Sequence, residues 1–500
     1  MKQIYLLLGI VLLALVGCRE SLEDTISDYT GDGPVRYVGM CSNVTVESGW
    51  KRLTVKWKNS LDPNVVENKV TCSAGSYVFD TVVPAAVEEC VIRGLEDASY
   101  EITVRAIDDK GNASLTTNEV KYGRPYTDNH EEVIGFTRGI MKHFFVKNNL
   151  VLFYGTWNAN IERFWLEYTG TDNVKREHEL NAAEFAKKFV LVEDVQVGKP
   201  VVLKRRGRLA NCPDEIAFAD YTLPHEPTLL SDFKLAMRER YGETDFKADF
   251  LNRTELELDY DLVSLEDILA FPNLTKLVLG KNRYMTSDKM TNSSELSDSK
   301  RALSLFCLDV AGKFLQGLEV ERYNTHYFPE GTAGITDMKD ANLVDLDALT
   351  TLDMTGWTVN CSPEVPGFDG NSLLDDNAKT IWKPLQHSGT ARTFELTVDM
   401  KSIRSINGLK VMQADVAGVD INFLPIGVKI RVSGNGIDWQ NPTYVEENTL
   451  GGAPGEATLI RFNRQYDIRY IRVMVSDRRY QTSNQASLGT LLGDIVPFQE

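Results

Sequence analysis

Apolar and polar residues alternate with a period of two through much of this chain, and that pattern limits the folds open to it. It is clear in LTVKWKN (53–59), ITVRAID (102–108) and IGVKIRVSG (426–434), which are bounded by Gly, Asn, Asp or Ser turns. Such alternation is typical of half-buried β-strands. With 500 residues, 43% of them hydrophobic, the chain has ordinary globular composition and room for three or four domains. The sequence therefore predicts a mainly β, multidomain protein.

The N-terminus predicts export. Residues 1–17 place one lysine before an apolar run, IYLLLGIVLLALVG, which is short for a membrane span and typical of a secretory signal. The sequence LVGC resembles the lipobox of bacterial lipoproteins, and the resemblance implies cleavage before Cys18 and lipidation of that residue. A signal-anchor helix that stays in place is the alternative. The acidic tether at 18–34 resembles the surface-export sequence of Bacteroidetes lipoproteins, which implies a surface-exposed outer-membrane protein attached to the membrane only through its lipid.

Charge and cysteine spacing argue against two kinds of partner. Lys and Arg total 54 against 71 Asp and Glu, a net charge of −17, and nucleic-acid binding requires clustered cations instead. The densest basic cluster, at 204–208, is either a solvated strand or a patch for an anionic ligand. No cysteines have the spacing of zinc ligands. Cys72 and Cys90 either form a disulfide between facing strands or remain free, buried thiols.

Residues 35–125 resemble a fibronectin type III domain. Trp57 lies on an early strand, Leu95 lies in a turn, and Tyr100 opens a later strand. Residues 126–227 contain further strand patterns and are predicted to form a second sandwich of the same family. The pair resembles the paired sandwich domain at the start of many uncharacterised Bacteroidetes surface lipoproteins. Trp57 and Tyr100 are therefore predicted to be core residues without a ligand.

The pattern changes in residues 228–358. SDFKLAMRERYG spaces large apolar residues four apart and predicts an amphipathic helix. Leu256 and Leu277 lie on two strand-like stretches 21 residues apart, within the period of leucine-rich repeats. FPNLTKLVLGKN resembles one such repeat, with Asn282 at the ladder position. Because later spacings are irregular, the region is predicted to be a short, degenerate leucine-rich array or a mixed α/β spacer.

Residues 359–500 carry the most specific pattern. Alternating strands separated by turns predict a β-sandwich or jelly roll. Asp375 precedes Trp382 by seven residues, VSGNGIDW follows at 432–439, and an acidic-aliphatic pair begins the last strand at Asp494. In this order the motifs resemble the discoidin domain, also called the coagulation factor V/VIII type C or galactose-binding-like domain. That family includes many carbohydrate-binding modules.

The resemblance implies a structural calcium ion. In the family, the entrance loop and the terminal acid commonly hold calcium, which prefers several oxygen ligands. Carried over to this chain, the ligands are Asp375, Asn377, Thr380 and Asp494. Asp376 replaces the usual glycine, and Asp tolerates left-handed backbone better than most residues. A metal-free, hydrogen-bonded turn is the alternative.

Sugar recognition in such folds uses loops at one end of the sandwich. An aromatic ring packs on the apolar face of the sugar, and polar side chains bind its hydroxyls. Three loops, KPLQHSGTAR, ADVAGVDINFL and SDRRYQTSN, carry such groups. The candidate ligand-binding residues are His387, Arg392, Phe423, Arg478, Arg479, Tyr480 and Asn484. Trp382 and Trp439 are predicted to be core residues rather than sugar platforms.

These observations favour a binding protein. The sequence has no HExxH, GxSxG, P-loop or GxGxxG motif, so it predicts no enzyme. It predicts a non-catalytic surface lipoprotein that captures a glycan through its C-terminal domain. A protein-binding adhesin or assembly component of a surface complex is the main alternative. An accessory subunit of a glycosidase is a third.

Overall fold

The computed structural model describes residues 37–116, 120–137, 139–259, 262–285, 296–315, 317–323, 327–338, 349–481 and 486–500. These residues fall into two compact units. One contains the described residues up to Gly139, with Asn158–Phe164 and Lys204–Asp220; the other contains Ile140–Trp157, Trp165–Leu203 and Tyr221–Glu500. The predicted mainly β, multidomain fold is confirmed. The predicted lipidation site, Cys18, lies outside the described residues.

Two antiparallel sheets dominate the first unit. One has the strand order β1-β2-β5 and the other β4-β3-β6-β7. The elements are β1 (Ser42–Gly49), β2 (Arg52–Lys58), β3 (Val65–Ala74), β4 (Tyr77–Pro84), β5 (Glu89–Arg93), β6 (Tyr100–Asp108), β7 (Lys121–Gly123) and helix α1 (Glu131–Thr137). The burial pattern of β6 alternates along the strand, as expected for a strand with one face on a core.

The core of this sandwich contains both aromatic residues that were predicted to be buried. Trp57 is 3% exposed and Tyr100 is 2% exposed, so their assignment to the core is confirmed. The Tyr100 hydroxyl accepts from the backbone N–H of Glu96 over 3.1 Å and donates to its carbonyl over 3.3 Å. Cys72 on β3 and Cys90 on β5 are both free thiols in this structure.

Residues 126–227, which were predicted to form a second sandwich, are divided between the two units. In the second unit, β12, β9 and β8 form an antiparallel sheet, and β10 pairs with β11. Strand β13 pairs with β14 at one end and with β15 at the other. The elements are β8 (Ile140–Val146), β9 (Asn149–Tyr154), β10 (Ile161–Thr169), β11 (Lys175–Glu179), α2 (Ala182–Lys187), β12 (Phe189–Glu193), β13 (Val202–Gly207), β14 (Ile216–Ala217) and β15 (Tyr221–Thr222).

A parallel sheet with the order β16-β17-β19-β20 follows the predicted helix. That helix is confirmed as α3, and it ends at Gly242, whose positive φ and N–H bond to the Arg238 carbonyl form a C-cap. The elements are α3 (Ser231–Tyr241), α4 (Ala248–Leu251), β16 (Glu255–Leu258), β17 (Lys276–Leu279), β18 (Arg283–Met285), α5 (Asp298–Phe314), β19 (Glu319–Arg322) and β20 (Thr336–Asp337). A 3-10 helix spans Glu266–Ala270.

The register of the parallel strands aligns apolar side chains into one core. Leu256, Leu277 and Val320 lie side by side on successive parallel strands and are buried. Their core is continuous with buried residues of β8 and β9, including Phe144 and Val151. The neighbouring sheet therefore contributes to the core of the parallel sheet.

The C-terminal region forms an eight-stranded sheet with the path β21-β29-β23-β26-β24-β25. Strand β18 pairs with β26 and β22 pairs with β23, so β18, β21 and the first residue of β22 precede the predicted boundary at 359. The strands are β21 (Thr350–Thr351), β22 (Thr358–Ser362), β23 (Thr393–Met412), β24 (Gly427–Ser433), β25 (Asn448–Thr449), β26 (Glu456–Ser476), β27 (Arg478–Gln481), β28 (Ala486–Gly489) and β29 (Asp494–Gln499).

The two tryptophans of this domain differ in environment. Trp382 is 3% exposed and packs in the main core, as predicted. Trp439, also predicted to be a core residue, is only half-buried, and the Arg472 guanidinium lies 4.0 Å from its ring centroid. The side chain is therefore held by a cation–π contact at the surface. Among the described helices, none is long and apolar enough to cross a membrane.

Candidate functional site

Predicted ligand-binding loops meet at the hairpin formed by β27 and β28. His387 and Leu488 of β28 exchange two backbone hydrogen bonds, of 3.0 and 2.7 Å. The ring of Tyr480, on β27, lies edge-on to that of Phe423, with centroids 6.3 Å apart. The long-range pairing of the hairpin thus brings residues 387, 423 and 480 into one region.

A buried carboxylate organises this region. Asp477, whose side chain is 0% exposed, accepts from His387 Nε2 over 2.8 Å. Arg392 donates to the same carboxylate from its backbone N–H, from Nε and from Nη2, over 3.0, 2.8 and 3.2 Å. Arg392 Nη2 also donates to the Leu385 carbonyl over 2.9 Å. His387 and Arg392 are therefore fixed beside each other by one acid.

Electrostatics keeps this acid ionised. Burial would raise the pKa of Asp477, but hydrogen bonds from Arg392 and His387 outweigh it and lower the pKa. The side chains of His387 and Arg392 are 28% and 29% exposed. Both side chains therefore keep part of their polar surface open to a ligand, whereas Asp477 is covered. Asp477 was not among the predicted site residues, because its partners lie 85 and 90 residues earlier in the chain.

The other predicted loop residues divide into two groups. Arg479 and Tyr480 are exposed. Arg478 instead donates to the Leu424 carbonyl over 2.8 Å, which ties the hairpin to the turn that carries Phe423. Phe423 is 2% exposed, so the expectation that it offers a stacking face requires correction: its ring lies in a small core and supports Tyr480. Asn484 lies outside the described residues.

Three of the predicted calcium residues lie in one compact turn, and the fourth, Asp494, lies beside it at the start of β29. Asp375 accepts from the Thr380 hydroxyl over 2.6 and 2.8 Å and from the Asn377 N–H over 3.1 Å. The Asn377 N–H also donates to Asp494, over 2.9 Å. Asp376 has φ +54°, the left-handed conformation expected where the family has glycine, and its carboxylate pairs with Lys410. The turn therefore brings Asp375 and Asp494 together and directs Asp376 to another partner.

The donor set is compatible with a hard cation. Asp494 is 0% exposed, and burial, with the adjacent Asp375, raises its pKa to about 7. Two carboxylates that share a site without a cation repel each other. The part of the chain that the structure describes contains no group of three or more His, Cys, Asp or Glu side chains arranged to hold a metal. Calcium here would depend on amide, hydroxyl, carbonyl or water oxygens besides these two acids, as calcium sites commonly do.

The basic cluster at 204–208 is neutralised locally. Lys204 lies 3.4 Å from Asp220, and Arg206 lies 3.5 Å from Glu215. The Arg205 guanidinium lies 5.2 Å from the ring centroid of Phe218. These contacts favour the solvated strand over a patch for an anionic ligand.

Two family profiles match the chain. A domain of unknown function, DUF4998, matches residues 18–199. The F5/8 type C domain matches residues 358–489, which confirms the predicted C-terminal discoidin-like jelly roll. Among curated proteins, none matches the chain.

Solved structures with similarity to this chain include carbohydrate-binding modules and fibronectin domains. A CBM32 module from a family 31 glycoside hydrolase of Clostridium perfringens is 16% identical and covers 30% of this chain and 95% of its own, with a TM-score of 0.25. A family 32 module from C. perfringens NanJ, solved with galactose, is 16% identical over 30% of this chain and 99% of its own, with a TM-score of 0.24. A two-domain fibronectin type III segment of chicken tenascin is 12% identical over 37% of this chain and 99% of its own, with a TM-score of 0.19.

Proposed function

We propose that this protein is a non-catalytic, lipid-anchored surface protein that captures a glycan at the loops of its C-terminal domain. The observation that carries the proposal is the arrangement around Asp477. One buried, ionised carboxylate fixes His387 and Arg392 with their outer edges exposed, beside the exposed Tyr480. The match to the F5/8 type C family supports it.

The chemistry of these groups suits a sugar. Guanidinium N–H groups donate to hydroxyl oxygens, the imidazole nitrogen that does not face Asp477 can accept from a hydroxyl, and a tyrosine ring offers an apolar face to C–H groups of the sugar ring. Because Asp477 holds both side chains before a ligand arrives, binding costs less side-chain entropy. Arg479, exposed on the same hairpin, supplies a further donor.

The proposal also includes a calcium ion, a lipid anchor and a role for the N-terminal region. Calcium, bound by Asp375, Asn377, Thr380 and Asp494, would neutralise two adjacent carboxylates and stiffen the entrance turn. Cys18 would carry the lipid, with the protein on the outer membrane facing outward. The N-terminal region, with its resemblance to fibronectin type III domains, would act as a spacer and scaffold.

A glycan array with the purified chain, in calcium and in chelator, tests the proposal first. We expect a hit that titration calorimetry confirms and that Arg392→Ala weakens by at least about tenfold. Arg404→Ala, an exposed arginine on β23, is the matched control and should bind like the unmodified protein. Absence of binding to plant, host and microbial glycans, or equal loss in both variants, would contradict the proposal.

Protein recognition is the second candidate, and one surface observation disfavours it. An exposed apolar patch on residues 228–358 would favour a protein partner. Of the large hydrophobic side chains in the described part of that segment, those exposed are Leu235 and Val263. Two residues do not make an extended apolar patch.

A further inference from the structure

A cavity of about 320 Å³ lies between the parallel-sheet segment and the C-terminal sheet, within the second unit. Helix α3 contributes Ala236 and Glu239 to its wall, and the region after β17 contributes Asn282. Strand β26 and the loop before β25 contribute Arg461 and Tyr444. Its volume falls at the lower end of the range for small-molecule sites. None of its lining residues belongs to the loop cluster around Asp477.

The cavity is built on a fixed framework. Strand β18 pairs with β26, and the Leu459 N–H donates to the Asn282 carbonyl over 2.8 Å. Thr449 donates to Glu239 from its hydroxyl and its N–H, over 2.8 and 3.1 Å. Tyr444 lies against the end of α3, where a Cβ on Gly242 would come within 2.5 Å of its ring. The walls are therefore joined by backbone and side-chain bonds.

Acidic, basic and amide side chains line this cavity. Arg461 donates to the Asn282 side-chain oxygen, and the Asn282 amide donates to Asp259 Oδ2 over 3.3 Å. Arg240 pairs with Glu257, yet its Nε is buried and donates to no group among the described residues. The formal charges of the lining side chains nearly cancel, with four acids against three arginines. The cavity lining therefore combines carboxylates, guanidinium groups and an amide but carries little net charge.

A neutral polyol matches this lining better than an ion. A hydroxyl both donates and accepts, so it can bond to a carboxylate and to a guanidinium at once. An ionic ligand would be repelled by nearly as many side chains of this lining as would attract it. Apolar groups, including Ala236 and Tyr444, line the same cavity and can cover the C–H face of a sugar ring. We infer that this cavity is a second sugar-binding site, which takes one neutral monosaccharide unit.

Saturation-transfer NMR with the full chain tests the inference. The probes are free galactose, glucose, mannose and N-acetylglucosamine, with glucuronic acid as the charged probe. Ala236→Phe fills the cavity and should weaken binding of the preferred neutral sugar by at least about tenfold. Arg238→Phe, an exposed position on the same helix, is the matched control and should not change it.

The loop variant His387→Ala separates this site from the proposed glycan site. Binding that survives His387→Ala and is lost in Ala236→Phe supports the cavity, whether or not the loops bind a glycan. Loss in His387→Ala with no change in Ala236→Phe overturns it, as does preference for glucuronic acid or no neutral-sugar signal. If Ala236→Phe strongly lowers the melting temperature, Tyr444→Ala replaces it as the test. Tyr444→Ala removes an apolar wall of the cavity and should weaken binding of the neutral sugar. Unchanged binding in that variant contradicts the inference.

Discussion

Replacing Lys142 by methionine should destabilise the second unit in a pH-dependent way. Lys142, on β8, is buried and donates to Glu266 Oε1 over 3.2 Å and to Asp267. Asp267 is 0% exposed and also accepts from the Leu230 N–H over 3.0 Å. Methionine keeps most of the volume of the lysine chain but leaves two buried carboxylates without their cation. Breaking a buried ion pair in this way costs about 3–5 kcal/mol.

The pH dependence follows from Asp267. Burial raises its pKa from 3.8 to about 6, although Lys142 opposes the shift. Because the folded pKa exceeds the unfolded one, this group reduces stability as pH rises from about 4 to about 6, by about 3 kcal/mol in total. Without Lys142 the folded pKa rises further, so the loss continues above pH 6. The difference between variant and unmodified protein should be small near pH 4 and reach about 3–5 kcal/mol near pH 8.

Hydrogen exchange is the suitable assay, because a chain of several domains does not unfold in one step. Peptides from the 3-10 helix and α5 should lose protection in Lys142→Met near pH 8 and little near pH 4. Lys175→Met, an exposed lysine on β11, should leave protection unchanged. Adding Glu266→Gln and Asp267→Asn to Lys142→Met should restore most of it. An equal effect at both pH values, or no rescue, would refute the reasoning.

Three further predictions concern single polar contacts. Tyr100→Phe removes both hydroxyl bonds to the Glu96 backbone and should lower the unfolding free energy of the first sandwich by about 1 kcal/mol in denaturant titration; no change would show that water replaces them. Calcium should raise the melting temperature in calorimetry, and Asp375→Ala should abolish that increase; an increase that persists excludes this turn as the site. Asp477→Ala should weaken glycan binding by at least as much as Arg392→Ala in calorimetry, because the acid positions both Arg392 and His387; full binding would show that neither side chain needs this support.

Local pattern was sufficient to predict much of the fold. Period-two alternation predicted the strands, and four-residue spacing predicted α3, because both signals lie within a dozen residues. The buried state of Trp57 and Tyr100 followed from their place on such strands. The C-terminal domain was predicted because three motifs occur in a fixed order over about 140 residues.

The other features of the candidate site were not predicted, because they depend on contacts between residues distant in sequence. Whether Phe423 is exposed depends on the β27–β28 hairpin packing over it, more than 50 residues later. Asp477 acquires its role only when a loop 85 to 90 residues earlier folds onto it. An alternation pattern specifies that a strand exists and which face is apolar, but it does not specify its partner. The loops therefore could be predicted from sequence, whereas the residue that fixes their side chains could not.

Strand β18 shows why the sequence boundary at 359 is not a structural one. It belongs by position to residues 228–358, yet Arg283 and Tyr284 pair with β26 of the C-terminal sheet. Strand β21, also before the boundary, pairs with β29. A fragment starting at 359 would expose two strand edges, and unpaired edges favour aggregation. The same fragment would lose one wall of the proposed second sugar site, so binding by the intact chain and by such a fragment reports on different surfaces.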